Sequence, residues 1–159
     1  MRDLTDMEKI RCRYGPAPTG KLHVGSARTA LFIYLFAKSQ GGEFILRIDD
    51  TDIKASNYDY THEAIESLKW LGIKWDEGPV YQSHRFDIYK RYIQQLVDSN
   101  HAYYEKTERG TATRFKVQRN RSEFVDLVHG TVEEDLSKYG DFVIQRSDGT
   151  PTYQIATVV

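Results

Sequence analysis

Ile10-Arg11-Cys12-Arg13-Tyr14, then Gly15-Pro16-Ala17-Pro18-Thr19-Gly20-Lys21-Leu22, then His23-Val24-Gly25-Ser26, is the stretch that decides the fold. Ile10 to Tyr14 reads as a short strand. Two prolines and two glycines between Gly15 and Gly20 forbid regular structure there. Ser26 to Lys38 then reads as a helix whose apolar residues cover nearly its whole circumference, a pattern that predicts burial on most sides.

Working outward, Gly41-Gly42 ends that helix, and Glu43 to Ile48 reads as a second strand delivering Asp49-Asp50-Thr51-Asp52. Ala64, Ile65, Leu68 and Leu71 mark the next helix, with Ser56 or Asn57 as its cap and Gly72 just past its end. A third helix opens near Ser83 and buries Phe86, Tyr89, Ile93, Leu96 and Val97. Helical and extended segments thus alternate through the first hundred residues, the pattern of βαβ units. From His101 the period changes. Arg114 to Gln118, Phe124 to Val128, Asp141 to Ser147 and Thr152 to Val159 read as strands, with a hairpin turn at Ser147-Asp148-Gly149-Thr150. The expected organisation is an α/β half with a parallel sheet over residues 1–100 and a smaller β-rich, partly antiparallel region over 101–159.

The chain has 159 residues, 22 Lys+Arg against 23 Asp+Glu, and a single cysteine, Cys12. Near-neutral charge argues against gripping nucleic acid or acidic membranes by bulk charge and leaves room only for a local patch. One cysteine excludes an internal disulfide framework and a thiolate-built zinc site. The longest apolar run, Ala30 to Ala37, falls well short of the ~20 residues that span a bilayer. Met1 to Asp6 has no apolar core of a secretory signal, so a cytoplasmic location is expected.

The chemistry gathers at the turn. Gly25 lets a ligand approach the backbone, and the free N–H groups of a first helical turn attract phosphate without side-chain charge. His23 is placed to donate to a phosphoryl oxygen as negative charge grows on it. The same histidine also suits plain packing at a strand–helix corner, and both readings stay open on these residues alone. His62, His84, His101 and His129 lack metal-ligand spacing and are expected to face solvent. Lys106, Arg109, Arg114, Lys116, Arg119 and Arg121 form a basic cluster that suits either RNA phosphates or a solvated face.

Pro16 through Ser26 resembles the first signature of class I aminoacyl-tRNA synthetases, the motif named for His-Ile-Gly-His. Ala27-Arg28-Thr29-Ala30-Leu31-Phe32 and Gly41 through Asp52 resemble glutamyl-tRNA synthetase in particular. Trp70-Leu71-Gly72, Trp75 through Pro79, Tyr81-Gln82-Ser83 with Arg85, Asp126-Leu127-Val128 with Gly130, and Asp141-Phe142-Val143 through Tyr153 follow in register. The resemblance implies a Rossmann-like parallel sheet interrupted by an acceptor-stem-binding insertion. It also implies a two-step reaction, in which glutamate is activated on ATP and then passed to tRNA.

Carried over by motif, His23, Gly25 and Ser26 would be the catalytic positions, and Pro18, Thr19 and Gly20 would join them around ATP. Arg13 would pair the glutamate side-chain carboxylate, Asp49 would hold the ammonium, and Gly15, Ala17 and Tyr153 would complete the amino-acid pocket. Arg47 reads instead as a structural partner of the acidic cluster. At least one of Asp49, Asp50 and Asp52 is expected to cap the following segment. The implied cofactors are ATP with Mg2+ on its phosphates, without zinc. The implied partners are glutamate, ATP and the acceptor end of tRNA(Glu), with no membrane, and the chain is expected to be a monomer.

Four departures accompany the resemblance. Ala17 stands where the family has serine. Asp49 stands where the bacterial pattern has glutamate, as in glutaminyl and archaeal-type relatives. Glu108 to Ala112 jumps straight to the next strand, where the family runs longer and sometimes carries zinc-binding cysteines. The chain stops in Ile155-Ala156-Thr157-Val158-Val159, before the family's second half-sheet, its Lys-Met-Ser-Lys-Ser-type loop and its anticodon-binding region. A final strand there is expected to be an exposed apolar edge. Leu136-Ser137-Lys138 echoes the loop faintly and reads as a helix end or turn. Two other readings stay open: a non-catalytic truncated paralogue that binds tRNA acceptor ends or a protein, and a related nucleotidyltransferase.

Overall fold

A computed structural model describes residues 9–118 and 120–159, so the readings of Met1 to Asp6 and of Arg119 lie outside the described residues. In chain order the elements are β1 (Arg11–Tyr14), α1 (Val24–Ser39), β2 (Glu43–Ile48), α2 (Tyr58–Trp70), β3 (Glu77–Tyr81), α3 (Phe86–Asp98), β4 (Ala102–Thr107), β5 (Gly110–Phe115), β6 (Arg121–Asp126), β7 (Gly130–Asp135), β8 (Phe142–Gln145) and α4 (Tyr153–Val158). They form two compact units that divide between Arg85 and Phe86, which places α3 with the β-rich segment.

In the first unit β1, β2 and β3 make a parallel sheet in that order, with Arg11 opposite Glu43 and Tyr14 opposite Leu46. Parallel neighbours need crossover connections, and α1 and α2 supply them. Phe44, Leu46 and Ile48 of β2 are fully buried and form the core with Tyr14, Ala30, Ala37, Leu68 and Ile73. Tyr34 meets Phe44 edge to face at 5.5 Å. Asn57 is the cap of α2, its side chain accepting from Asp59 N at 2.8 Å. β3 escapes the pattern reading because Gly78 and Pro79 break strand character, and both are tolerated at a sheet edge.

The expectation that α1 is buried on most sides is overturned. Ala30 and Ala37 are buried, whereas Phe32 is 64% and Leu35 56% exposed. The helix has two apolar faces, and only one of them meets the sheet. The Arg28 guanidinium lies 5.1 Å over the Phe32 ring and screens part of the other.

The second unit holds an antiparallel sheet in the order β4-β5-β8 and a separate hairpin of β6 and β7. Ile93, Ala102, Ile144 and Ile155 form its core. The turn after β8 closes as expected, with Arg146 N donating to Thr150 O at 2.9 Å and Gly149 at φ 84°. Leu136 to Lys138 makes one 3-10 turn.

The expected strand Thr152 to Val159 is instead the helix α4. Its β-branched residues suggested extension, but the burial runs Thr152, Ile155, Ala156, a helical spacing, with Tyr153, Gln154 and Val158 exposed. Packing of Ile155 in the core overrides the strand propensity. Among the described residues this segment therefore presents no strand edge.

Candidate active site

The first unit brings most of the predicted residues to the ends of β1 and β2. The Pro-rich loop cannot donate from Pro16 or Pro18, so it is held by their carbonyls: Pro16 O accepts Asp49 N and Pro18 O accepts Asn57 N, each at 2.9 Å. These two bonds tie the loop to the exit of β2 and to the cap of α2. Pro18 is buried beneath the turn, and Thr19 and Gly20 are exposed on it.

His23 is the N-cap of α1. Its Nδ1 accepts the Gly25 N–H at 3.2 Å, and its Nε2 lies 3.1 Å from Ser26 Oγ. A Cβ at Gly25 would stand 3.0 Å from His23 Cε1, so the glycine makes room for the imidazole as well as for a ligand. His23 and Gly25 are exposed, and Ser26 is half-buried. Beside Ser26 sits the phenol of Tyr14, the last residue of β1. Burial pushes its ionisation upward and the Ser26 contact opposes this in part.

Asp49 stands at the exit of β2 with its side chain 7% exposed. The Arg47 fork holds it through Nε–Oδ1 at 2.6 Å and Nη2–Oδ2 at 2.9 Å. A Cβ at Gly15 would meet Asp49 Oδ1 at 2.7 Å, so Gly15 is the position that lets this carboxylate sit against β1. Arg47 is thus the structural partner that its place suggested. Asp50 accepts from Ser83 N at 2.8 Å and Ser83 Oγ at 2.6 Å. Asp52 accepts from Ala55 N at 3.2 Å, which makes it the capping member of the acidic run. Arg13 and Ala17 are exposed in the first unit, whereas Tyr153 opens α4 in the second unit and is exposed.

The four other histidines are exposed, His84 stacking on Tyr81 at 5.1 Å and His129 contacting Asp126 at 3.1 Å. In the basic cluster Arg114 is engaged by Glu105 at 2.6 Å and by the Asp141 carbonyl at 2.8 Å, and Glu105 raises its pKa. Lys116 bonds Asn100 and lies 5.9 Å from the Tyr103 ring centre, and Arg121 reaches Glu133 at 3.5 Å. Among the described residues no ion pair takes Lys106 or Arg109. Sequence reasoning missed Tyr14 and both proline carbonyls. The one available signal was a tyrosine ending a strand directly before a glycine.

A parallel strand that runs through a glycine-bearing turn into the N-terminus of a helix is the nucleotide-binding corner of a Rossmann-like α/β protein. Residues 9–111 and 104–159 match the family described as tRNA synthetases class I (E and Q), catalytic domain, and the chain belongs to it. The two matched stretches overlap at the β4–β5 turn. The chain is 42% identical to the glutamate–tRNA ligase of Desulfosudis oleivorans over 186 aligned positions, covering 96% of this chain and 40% of that protein. It is also 42% identical to that of Aquifex aeolicus, covering 96% and 41%. An alignment longer than the chain means that these relatives carry additional residues within it. A solved glutamate tRNA ligase from Elizabethkingia meningosepticum, in complex with its amino acid, superposes with a TM-score of 0.87 at 30% identity, covering 95% of this chain and 41% of that one. The chain therefore spans about two fifths of the length of its relatives.

Proposed function

We propose that this chain carries the ATP- and glutamate-facing part of a glutamate–tRNA ligase. The observation that supports the reading is the pairing of an exposed His23 cap, with Gly25 and Ser26 on the open first turn of α1, and a carboxylate, Asp49, fixed at the exit of β2. Magnesium would come bound to ATP and would supply charge screening at its phosphates.

In the proposed first step a carboxylate oxygen of glutamate bonds to the α-phosphorus as the bond to pyrophosphate breaks. This displacement needs positioning and charge stabilisation more than a nucleophilic side chain. The N–H groups at the start of α1 offer donors to the phosphates, and His23 turns from capping Gly25 to donating toward the growing charge. Pro18, Thr19 and Gly20 shape the loop around the nucleotide. Asp49 takes the ammonium on the lone pairs that Arg47 leaves, Arg13 takes the side-chain carboxylate, and Gly15 and Ala17 line the same end of the sheet. In the second step the terminal ribose hydroxyl of tRNA takes the glutamyl group and AMP leaves. Lys106 and Arg109 are the cations proposed to meet acceptor-end phosphates. The reading places the protein in the cytoplasm; among the described residues no helix is long and apolar enough to cross a membrane.

Glutamate-dependent exchange of pyrophosphate into ATP, with and without tRNA, tests this. Exchange is expected, falling about 100-fold or more in His23→Ala, the usual loss for one aimed donor. Absence of exchange together with ATP binding indifferent to His23→Ala would refute it. Salt-sensitive tRNA binding without adenylate would favour a non-catalytic binding role instead.

A further inference from the structure

The first unit holds a cavity that no step of the proposed reaction uses. Its volume is about 710 Å3, within the range of small-molecule sites. Its lining is rich in open apolar surface: Tyr58 and Ile53, 78% and 62% exposed, and Tyr81 with His84 stacked on it at 5.1 Å. Rings and an isoleucine left this open to water suit a flat ligand that covers them. The polar lining is sparse and fixed. Asp50 accepts from Ser83 N and Oγ at 2.8 and 2.6 Å, and a carboxylate oxygen that accepts one bond keeps a lone pair for another. Asn57 Oδ1 is taken by Asp59 N, which leaves its amide hydrogens to donate. Among the described residues no lysine or arginine lines this cavity, and the Asp50 charge repels anions, so a phosphate or carboxylate does not suit it.

We propose that this cavity binds an amino-bearing nucleobase, its ring stacked on Tyr58, its amino group donating to Asp50 and a ring nitrogen accepting from the Asn57 amide. Cytosine and adenine each offer that amino donor. Stacking tolerates every base, so the contact with Asp50 is what selects among them. The base belongs either to a free nucleoside or to an unpaired nucleotide at the end of an RNA. In both cases the phosphates stay outside a cavity that offers them no cation. Pro18 links this cavity to the loop of the candidate active site, its carbonyl bonded to Asn57 N at 2.9 Å. The assignment nonetheless stands apart from the reading of the α1 N-terminus, because it calls on neither His23 nor a phosphate.

The test titrates cytidine into the whole chain labelled with 15N, with the imidazole signals of His84 and His23 assigned by their disappearance in His84→Ala and His23→Ala. Cytidine is expected to bind and to move the His84 signals. Uridine, which has a carbonyl in place of the amino group, is expected to bind about tenfold more weakly or worse, the range of one hydrogen bond to a charged group. Tyr58 is exposed, so Tyr58→Ala leaves the core intact, and it is expected to weaken cytidine about fivefold to a hundredfold, the range for one stacked base. Tricytidylate that binds tighter than cytidine, with affinity falling as salt rises, would assign the base to an RNA end, and equal affinities to a free nucleoside. No binding of cytidine, equal binding of uridine, unchanged affinity in Tyr58→Ala, or shifts at His23 without shifts at His84 would each overturn the proposal. None of these outcomes depends on pyrophosphate exchange, so the two readings fail separately.

Discussion

Gly15→Ala probes the junction that joins the loop to the acidic strand end. Gly15 does not have a positive φ, so alanine meets no backbone strain and restricts the unfolded chain, a gain of ~0.4–1 kcal/mol. Against this, the new methyl would stand 2.7 Å from Asp49 Oδ1 and 3.0 Å from its Cγ and Oδ2. A carboxylate on a free side chain would swing away at little cost. This one is gripped by two Arg47 bonds of 2.6 and 2.9 Å, with the two side chains only 10% and 7% exposed. Retreat therefore lengthens charge-assisted bonds inside a packed region, and overpacking of this kind costs ~1–3 kcal/mol. The net expectation is a loss of about 1–2 kcal/mol. Both tryptophans, Trp70 and Trp75, lie in the first unit, so urea unfolding followed by their fluorescence reads the relevant part of the chain. In an Asp49→Ala background the clash partner is gone, and Gly15→Ala should then cost nothing further. Additive penalties, or a Gly15→Ala chain as stable as wild type, would refute the reasoning.

Gly25→Ala places a methyl 3.0 Å from His23 Cε1 and displaces the imidazole cap; better helix propensity offsets the lost cap to within about 0.5 kcal/mol, while affinity for an ATP analogue should fall about tenfold by titration calorimetry. Asp76 is held below the ordinary carboxylate range first by the Lys38 hydrogen bond and then by Phe44 N, so its contribution is present at neutral pH and is lost as pH falls through that range. Urea midpoints taken from pH 6 to 3 should therefore decline less steeply for Asp76→Asn, and parallel curves would contradict this. Gly78→Ala combines a φ of 106° with a collision against the Leu46 carbonyl between β2 and β3, and should cost about 3 kcal/mol or more in the same fluorescence assay.

Legibility followed the range of the interactions involved. Capping and turn chemistry is local, so Asn57, the Ser147 to Thr150 turn and the strand–turn–helix opening were all readable from residue type and spacing. The α1 and α4 readings failed for a shared reason: apolar content reports what a segment is able to bury, not what lies against it. In α1, Phe32 and Leu35 carry the same signal as Ile33 and Tyr34 yet face the other way. In α4, β-branched composition favoured a strand, and only contact with Ile93, Ala102 and Ile144 decides for the helix. The site divides along the same line. His23, Gly25 and Ser26 are close in sequence and their mutual bonds were foreseeable, whereas Asp49 against Gly15 is a cross-strand relation that no spacing rule encodes.

That cross-strand relation explains why a loop of prolines suits this position. Prolines at 16 and 18 remove two donors and leave carbonyls, and those carbonyls are the groups to which Asp49 N and Asn57 N bond. The loop is therefore held by elements further along the chain, and its conformation depends on β2 and α2 being in place. The helix tip is held locally, by His23 on Gly25 and by the contact of His23 with Ser26. The Asp49 carboxylate thus hangs on Arg47 at the exit of β2 and the His23 imidazole on the first turn of α1, two anchorages that, among the described residues, share no hydrogen-bonding side chain. Substitutions at Gly15 should perturb the first anchorage and substitutions at Gly25 the second, and the two should combine additively in urea unfolding, with a coupling below about 0.5 kcal/mol. A larger coupling would mean that the loop moves as one body with the helix tip.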